Sequence, residues 1–249
     1  WISTILFFFV VMKLLFALLV LSFVSVSLCV TEREMNAITA LYDATNGPNW
    51  YRAWNWFEGN PCTNNWWGIK CDGDGNINQI ILPSNNLQGT IPPQIGDLPN
   101  LSMLALFNNY ITGTLPEELA LLKYLAYIQL NFNSVSGTIP ESLGNWSYLV
   151  ELSLIGNQLS GTIPESLGNL QRAKYIMMHS NNLEGSIPAS FANFGSATRV
   201  KVAENNLNGT VPWTSDPGYD VFDARYNQFS CPLPEWCSSS GNGLCEPCV

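Results

Sequence analysis

The sequence predicts an α/β solenoid, a right-handed superhelical stack of about seven 24-residue coils with a parallel concave sheet and disulfide-stabilised caps at both ends. Three observations predict it. First, Asn85, Asn109, Asn133, Asn157, Asn181 and Asn205 recur at equal intervals, each followed in register by an aliphatic residue, a glycine and a proline, as in Asn157, Leu159, Gly161 and Pro164. Second, each asparagine follows an apolar pair that alternates with polar residues, such as Leu104 and Leu106 or Leu152 and Leu154, the pattern of a short strand with one buried face. Third, the cysteines after Cys29 lie only towards the ends: Cys62 and Cys71 before the repeats, and Cys231, Cys237, Cys245 and Cys248 after them.

The elements follow in chain order. Between Trp1 and Val30 only Lys13 is charged. Met12-Lys13 makes a short basic start, Leu14 to Val26 an apolar run, and Ser25, Ser27 and Cys29 a small-residue end, so residues 1–29 read as a secretory signal peptide whose natural start is Met12. The rival reading is an uncleaved anchor, because Ile2 to Val30 is long enough to cross a bilayer as one helix. No second long apolar run follows, so the mature chain is expected to be soluble and secreted. Thr31-Glu-Arg-Glu34 is a capping box, with Thr31 as N-cap and Glu34 at the third helical position. The helix it opens should run from about Glu32 to Ala44, bury Met35, Ile38, Leu41 and Tyr42, and stop at Asn46-Gly47-Pro48. Asp72-Gly-Asp74-Gly-Asn76 places oxygen side chains at alternate positions like a calcium loop, but Ile77 and Pro83 stand where that loop needs glycine and glutamate. It reads instead as a hairpin turn leading into the first repeat.

The repeat array occupies 77–237. Strands of successive coils should stack in parallel about 4.8 Å apart, extending a core that no single coil could bury. Each asparagine amide can satisfy backbone groups that stacking would otherwise bury unpaired. Gly and Pro set the second turn, and the outer stretch, for example Glu165 to Leu170, returns the chain on the convex side. A shortened last unit, with Asn227, Phe229 and Pro234 in register, follows an altered loop at Asp216-Pro217-Gly218. The Cys-rich segment 238–249 makes the C-terminal cap; its four cysteines, counting Cys231 and Cys237, allow three pairings. An even number of cysteines in an exported chain reads as disulfides.

The unit L-x-x-L-x-L-x-x-N-x-L-x-G-x-I-P-x-x-L-G-x-L resembles the plant-type leucine-rich repeat, and 149–170, LVELSLIGNQLSGTIPESLGNL, matches it almost letter for letter. The segment 30–76 is similar to that family's N-terminal cap. The resemblance implies a bridge between Cys62 and Cys71 in PCTNNWWGIKC, and a seal over the first coil made by Trp50, Trp54, Trp56, Trp66 and Trp67. It also implies a horseshoe that recognises peptides, proteins or cell-wall polysaccharides, as in receptor ectodomains and secreted inhibitors of wall-degrading enzymes.

The balance of charges excludes some partners. Ten Lys and Arg against nineteen Asp and Glu give a net charge of −9, so there is no basic surface for nucleic acid or anionic membrane. The lone His179 has no H-E-x-x-H or G-x-S-x-G context, so no metal, cofactor or catalytic group is expected and the chain reads as a non-enzyme. Glu117, Glu141 and Glu165 recur once per coil on the outer turn, where they should be solvated and separate rather than a catalytic pair. Thr90, Thr114, Thr138, Thr162, Ser186 and Thr210 form a hydroxyl ladder that suits a second short strand, and that also suggests ice binding, an activity found in some plant-type repeat proteins. Sequons at Asn100, Asn145 and Asn208 are candidate glycosylation sites.

The concave face is the expected ligand site. Strand positions alternating with the core pair offer Met103, Phe107, Tyr127, Gln129, Phe132, Glu151 and Ile155 in the earlier coils. The later coils offer Tyr175, Met177, His179, Arg199, Lys201, Asp223 and Arg225. Aromatic and methionine side chains beside Arg and Lys are the composition of a recognition patch. The expected function is a secreted recognition module for an extracellular protein, peptide or polysaccharide at the cell surface or wall; the alternative is a structural protein that self-associates.

Overall fold

The computed structural model describes residues 30–194, 199–213 and 218–230. The signal segment 1–29, the loop centred on Asp216-Pro217, and Cys231, Cys237, Cys245 and Cys248 lie outside the described residues.

Helix α1 (Glu32–Ala44) begins as the sequence requires: Thr31 Oγ1 accepts from the Glu34 backbone and Glu34 Oε2 accepts from the Thr31 N–H. Ile38 and Leu41 are fully buried, and Met35 and Tyr42 pack half-buried against the same core. Glu34 is buried too, because its second oxygen accepts from the Ile77 N–H at 3.0 Å and so ties the helix to the first coil.

Strands β1 (Ile69–Cys71) and β2 (Ile77–Ile81) form an antiparallel hairpin. Its turn is held by the Asp72 carboxylate, which accepts from the Asp74 and Asn76 backbone and from Asn76 Nδ2. Burial pushes the Asp72 carboxyl upward, but hydrogen bonds from Asn76, Asp74 and Gly75 outweigh it and hold the group below its ordinary value. Cys62 and Cys71 are joined by a disulfide. Trp50, Trp56 and Trp66 are buried over the end of the core. Trp54 departs from expectation: it is 61% exposed. Left-handed backbone at Asn55 and Phe57 turns Trp56 inward and its two neighbours out.

From there each coil contributes two strands, followed in the first five coils by a short 3-10 helix. The strands are β3 (Gln88–Thr90), β4 (Met103–Ala105), β5 (Tyr110–Thr112), β6 (Tyr127–Gln129), β7 (Ser136–Gly137), β8 (Glu151–Ser153) and β9 (Gln158–Thr162). They continue as β10 (Tyr175–Met177), β11 (Asn182–Gly185), β12 (Arg199–Lys201), β13 (Asn206–Gly209), β14 (Val221–Asp223) and β15 (Gln228–Phe229). An eight-stranded long sheet runs β1-β2-β4-β6-β8-β10-β12-β14, parallel after the first pair. A flank sheet runs β7-β9-β11-β13-β15, with β3 paired to β5 at its start.

The two sheets differ in register. From β2 to β12 the long-sheet strands pair residues one full 24-residue repeat apart, as Tyr127↔Glu151 and Tyr175↔Arg199, and the shortened last unit pairs Arg199↔Val221. Flank strands pair Ser136↔Gln158 and Glu184↔Asn206, two residues short of the repeat. Because the slip is even, every flank strand still turns the same face outward. Between the sheets lies one continuous core, in which Leu104, Leu106, Leu152, Leu154, Leu159 and Leu183 are at most 1% exposed.

The asparagines bind the stack as the sequence predicts. Asn157 Nδ2 donates to the Leu154 carbonyl of its own coil and to the Leu130 carbonyl of the previous one, and its Oδ1 accepts from the Val135 N–H. Asn109, Asn133, Asn181, Asn205 and Asn227 repeat the pattern. Asn85 hands it to the N-terminal segment, donating to the Arg52 carbonyl and accepting from the Arg52 N–H. The glutamates of the outer turn are exposed, and Glu165 accepts from the Ala189 and Ser190 N–H groups at the start of the next 3-10 turn. The Ser190 side chain, aided by the Ser190 and Ala189 N–H groups, outweighs burial and holds the Glu165 carboxyl below the usual range.

Candidate functional site

Strand alternation and the one-repeat register place the outward side chains of the long sheet in rows that cross the strands. One row runs Met103, Tyr127, Glu151, Tyr175, Arg199. The next runs Gln129, Ser153, Met177, Lys201, Asp223, in which Ser153 and Asp223 are buried among their neighbours. Phe107, Ile155, His179 and Arg225 hold the equivalent place just beyond the strand ends, all half-buried. The sequence therefore located these positions on one face.

Phe132 is a correction. It sits one residue past that place, on the turn before Asn133, with φ 54° and 58% of its surface exposed. The chain must reverse there, so the ring leaves the sheet face and covers Gly156 of the next coil. Tyr226 occupies the same turn position with φ 56°.

The face is graded in chemistry. Its early coils mix Met103, Phe107 and Tyr127 with Gln79 and with Gln129, which donates to Glu151 Oε1 at 2.9 Å. Its later coils carry paired charges. Arg199 bonds Asp220 at 2.6 Å and lies 5.8 Å from the Tyr175 ring centre. Arg225 grips Asp223 with two bonds of 2.9 Å. Burial pushes the Asp223 carboxyl up, but the Arg225 hydrogen bonds and charge outweigh it and hold the group below its ordinary range. Lys201 makes no ion pair among the described residues. Burial, joined by the Lys201 charge, keeps the His179 imidazole below its usual value. Its Nδ1 is buried with no hydrogen-bond partner among the described residues, so the ring on this face is half-sunk and not freely exposed.

Elsewhere, Asn100 and Asn145 lie on the outer turns and Asn208 on the flank sheet. Sequence reasoning missed a second exposed tier: the Tyr124 and Tyr148 rings are 5.6 Å apart, and Arg172 lies 4.5 Å over Tyr148. These three share one place in successive repeats, so the repeat spacing alone could have found them. Among the described residues no group of acidic, histidine and cysteine side chains is arranged to hold a metal ion, and no helix is long and apolar enough to cross a membrane.

The pattern of the family described as Leucine Rich Repeat matches residues 124–146 and 148–170. No curated protein matches the chain. Solved structures do. A plant ice-binding protein is 30% identical with a TM-score of 0.73, covering 82% of this chain and 66% of that one. Pollen Receptor Kinase 3 is 30% identical with a TM-score of 0.59, covering 70% of this chain and 85% of that one. The plant peptide hormone receptor RGFR1, in complex with RGF2, is 34% identical with a TM-score of 0.57, covering 60% of this chain and 24% of that one. The chain thus spans about two thirds of the ice-binding structure and about a quarter of the hormone receptor. With its asparagine ladder, its parallel sheet and these likenesses, the chain belongs to the plant-type leucine-rich-repeat proteins.

Proposed function

We propose that the protein is an extracellular, non-enzymatic recognition module that binds a peptide or protein through the outward face of the long sheet. The observation that carries this reading is the row Met103, Tyr127, Glu151, Tyr175 and Arg199, which lines methionine, aromatic and charged side chains up across adjacent strands. A groove-spanning segment could lay its side chains along such a row. The likeness to a plant peptide hormone receptor solved in complex with RGF2 supports peptide recognition. Export through the signal segment 1–29 fits the disulfide at Cys62 and Cys71. The test is capture from extracellular medium, followed by titration of the identified partner. Tyr127→Ala, Tyr175→Ala and Lys201→Glu should each weaken binding at least about tenfold, the scale of a central contact. Unchanged affinity in all three variants sinks the proposal, and a partner-free chain that elutes as a large oligomer would favour the self-assembling alternative.

One observation favours a second reading, ice binding. Thr90, Thr114, Thr138, Thr162, Ser186 and Thr210 are all exposed along the flank. Each of the first four threonines packs its methyl against the next coil's glycine, as Thr114 Cγ2 does 2.7 Å from where a Cβ of Gly137 would lie. That contact fixes the orientation of each hydroxyl, and a similar structure is that of a plant ice-binding protein. Ice recrystallisation should then be inhibited by the wild type and not by a Thr138→Lys, Thr162→Lys double variant. Ice grains that coarsen as fast with the wild-type protein as without it would dismiss this reading.

A further inference from the structure

The flank sheet begins with a hollow of about 510 Å³ lined by Asn86, Gln88, Gly89, Tyr110 and Thr112. Tyr110, 61% exposed, stands on β5 directly beside Gln88 of β3, and Thr112 stands beside Thr90. Gly89 lets β3 pass close against the end of helix α1: a Cβ there would lie 2.0 Å from the Ala44 carbonyl oxygen, and the backbone has φ 125°.

The amides along one wall are held in a closed ring. Asn49 Nδ2 donates to Asn46 Oδ1, Asn46 Nδ2 to Gln88 Oε1, Gln88 Nε2 to Asn86 Oδ1, and Asn86 Nδ2 to the Asn49 carbonyl. A side-chain amide has two N–H donors and an oxygen with two lone pairs. Each amide bridging this ring spends one N–H, which leaves a second for a ligand. The ring also fixes the amides before any ligand arrives, which lowers the entropy of binding.

We propose that this hollow binds a neutral polysaccharide chain, on a face separate from the long sheet. A sugar presents hydroxyls that both donate and accept, and an apolar face of C–H bonds. The hollow offers amides for the first and the Tyr110 ring for the second. None of its lining residues is charged, so a phosphate, a uronate or a charged peptide side chain would find no counter-charge there. The chain's net charge of −9 further disfavours an acidic polysaccharide. The surface continues in the same character: Ser136, Gln158, Ser160, Asn182, Asn206 and Asn208 face outward from the following flank strands, interrupted by the single charge of Glu184. An extended glycan seated at Tyr110 can run on across these strands without meeting an unpaired buried charge.

The test titrates the full chain with cellohexaose, laminarihexaose, xylohexaose and mannohexaose, and with a galacturonate hexamer as the charged control, by calorimetry. At least one neutral chain should bind. Tyr110→Ala should weaken it tenfold or more, Tyr110→Phe should stay within about threefold because the ring face is kept, and Thr112→Arg should block the hollow. Tyr175→Ala, on the long sheet, should leave sugar affinity unchanged, so this outcome is read independently of peptide capture. Failure of every neutral chain to bind, undiminished binding in both Tyr110→Ala and Thr112→Arg with wild-type circular dichroism, or preference for the galacturonate chain overturns the proposal.

Discussion

Asn157 shows why one residue type recurs along the whole chain. Its amide satisfies two buried carbonyls and one buried N–H that no strand partner reaches. An unsatisfied buried group costs about 1–3 kcal/mol, so Asn157→Ala should lower unfolding free energy by roughly 3 kcal/mol in urea titration. The exposed neighbour Gln158 supplies the comparison: Gln158→Ala should change it by no more than about 0.5 kcal/mol. Equal effects from the two would remove the ladder from the account. His179 gives a pH prediction. Its pKa in the folded chain lies below the ordinary imidazole value of 6.5, burial being the main cause and Lys201 adding to it against Glu204 and Asp223. As pH falls through 6.5 the unfolded chain takes up a proton before the folded one, so stability present above that pH is lost progressively below it. The Tm of the wild type should fall more steeply between about pH 7 and pH 5 than that of His179→Gln; superimposable curves would show that the ring's burial has no such effect. The ladder was legible in the sequence because a repeated amide has one efficient use in a stack. The half-sunk imidazole was not, because strand alternation says which way His179 points and not how far its neighbours rise around it.

At the scale of elements, the capping box and helix α1 were read with their bounds, since Thr31 and Glu34 act locally. The long-range part of Glu34 was hidden. Its bond to the Ile77 N–H crosses from helix to first coil. Glu34→Ala should therefore destabilise more than Thr31→Ala, by about 2–3 kcal/mol against about 1 kcal/mol, when both are followed by thermal melting. Equal losses would confine Glu34 to the cap. The loop 50–68 was legible only in part. Burial of Trp50, Trp56 and Trp66 followed from the need to cover the first coil, whereas exposure of Trp54 depended on left-handed turns at Asn55 and Phe57. Phe132 was misplaced for a similar reason: periodicity of two holds along a strand and lapses at the first turn residue.

At the scale of the molecule, each coil touches only its neighbours, so the fold is close to one-dimensional. Deleting 149–172 removes one whole repeat and rejoins coils that present the same register. That variant should still give one cooperative unfolding transition with a lower midpoint. Deleting half a repeat, 149–160, should leave no folded transition, because leucines and asparagines would then face each other out of phase. A native-like melt of the half-repeat variant would contradict the register argument.

The sequence by itself determined the stack: its period, the strand and turn positions within each coil, the asparagine ladder and the side of the long sheet on which the proposed contact residues stand. These are properties of a repeated local pattern, and stacking copies it faithfully. Tertiary structure alone decided the two-residue slip of the flank sheet, the ring of amides joining Asn46 and Asn49 to Asn86 and Gln88, and the close approach of Gly89 to Ala44. The slip recurs along the flank, but a residue period states no offset between stacked strands. The other two depend on how the non-repeating N-terminal segment meets the first coil, where contacts join residues far apart in the chain and no periodicity specifies them.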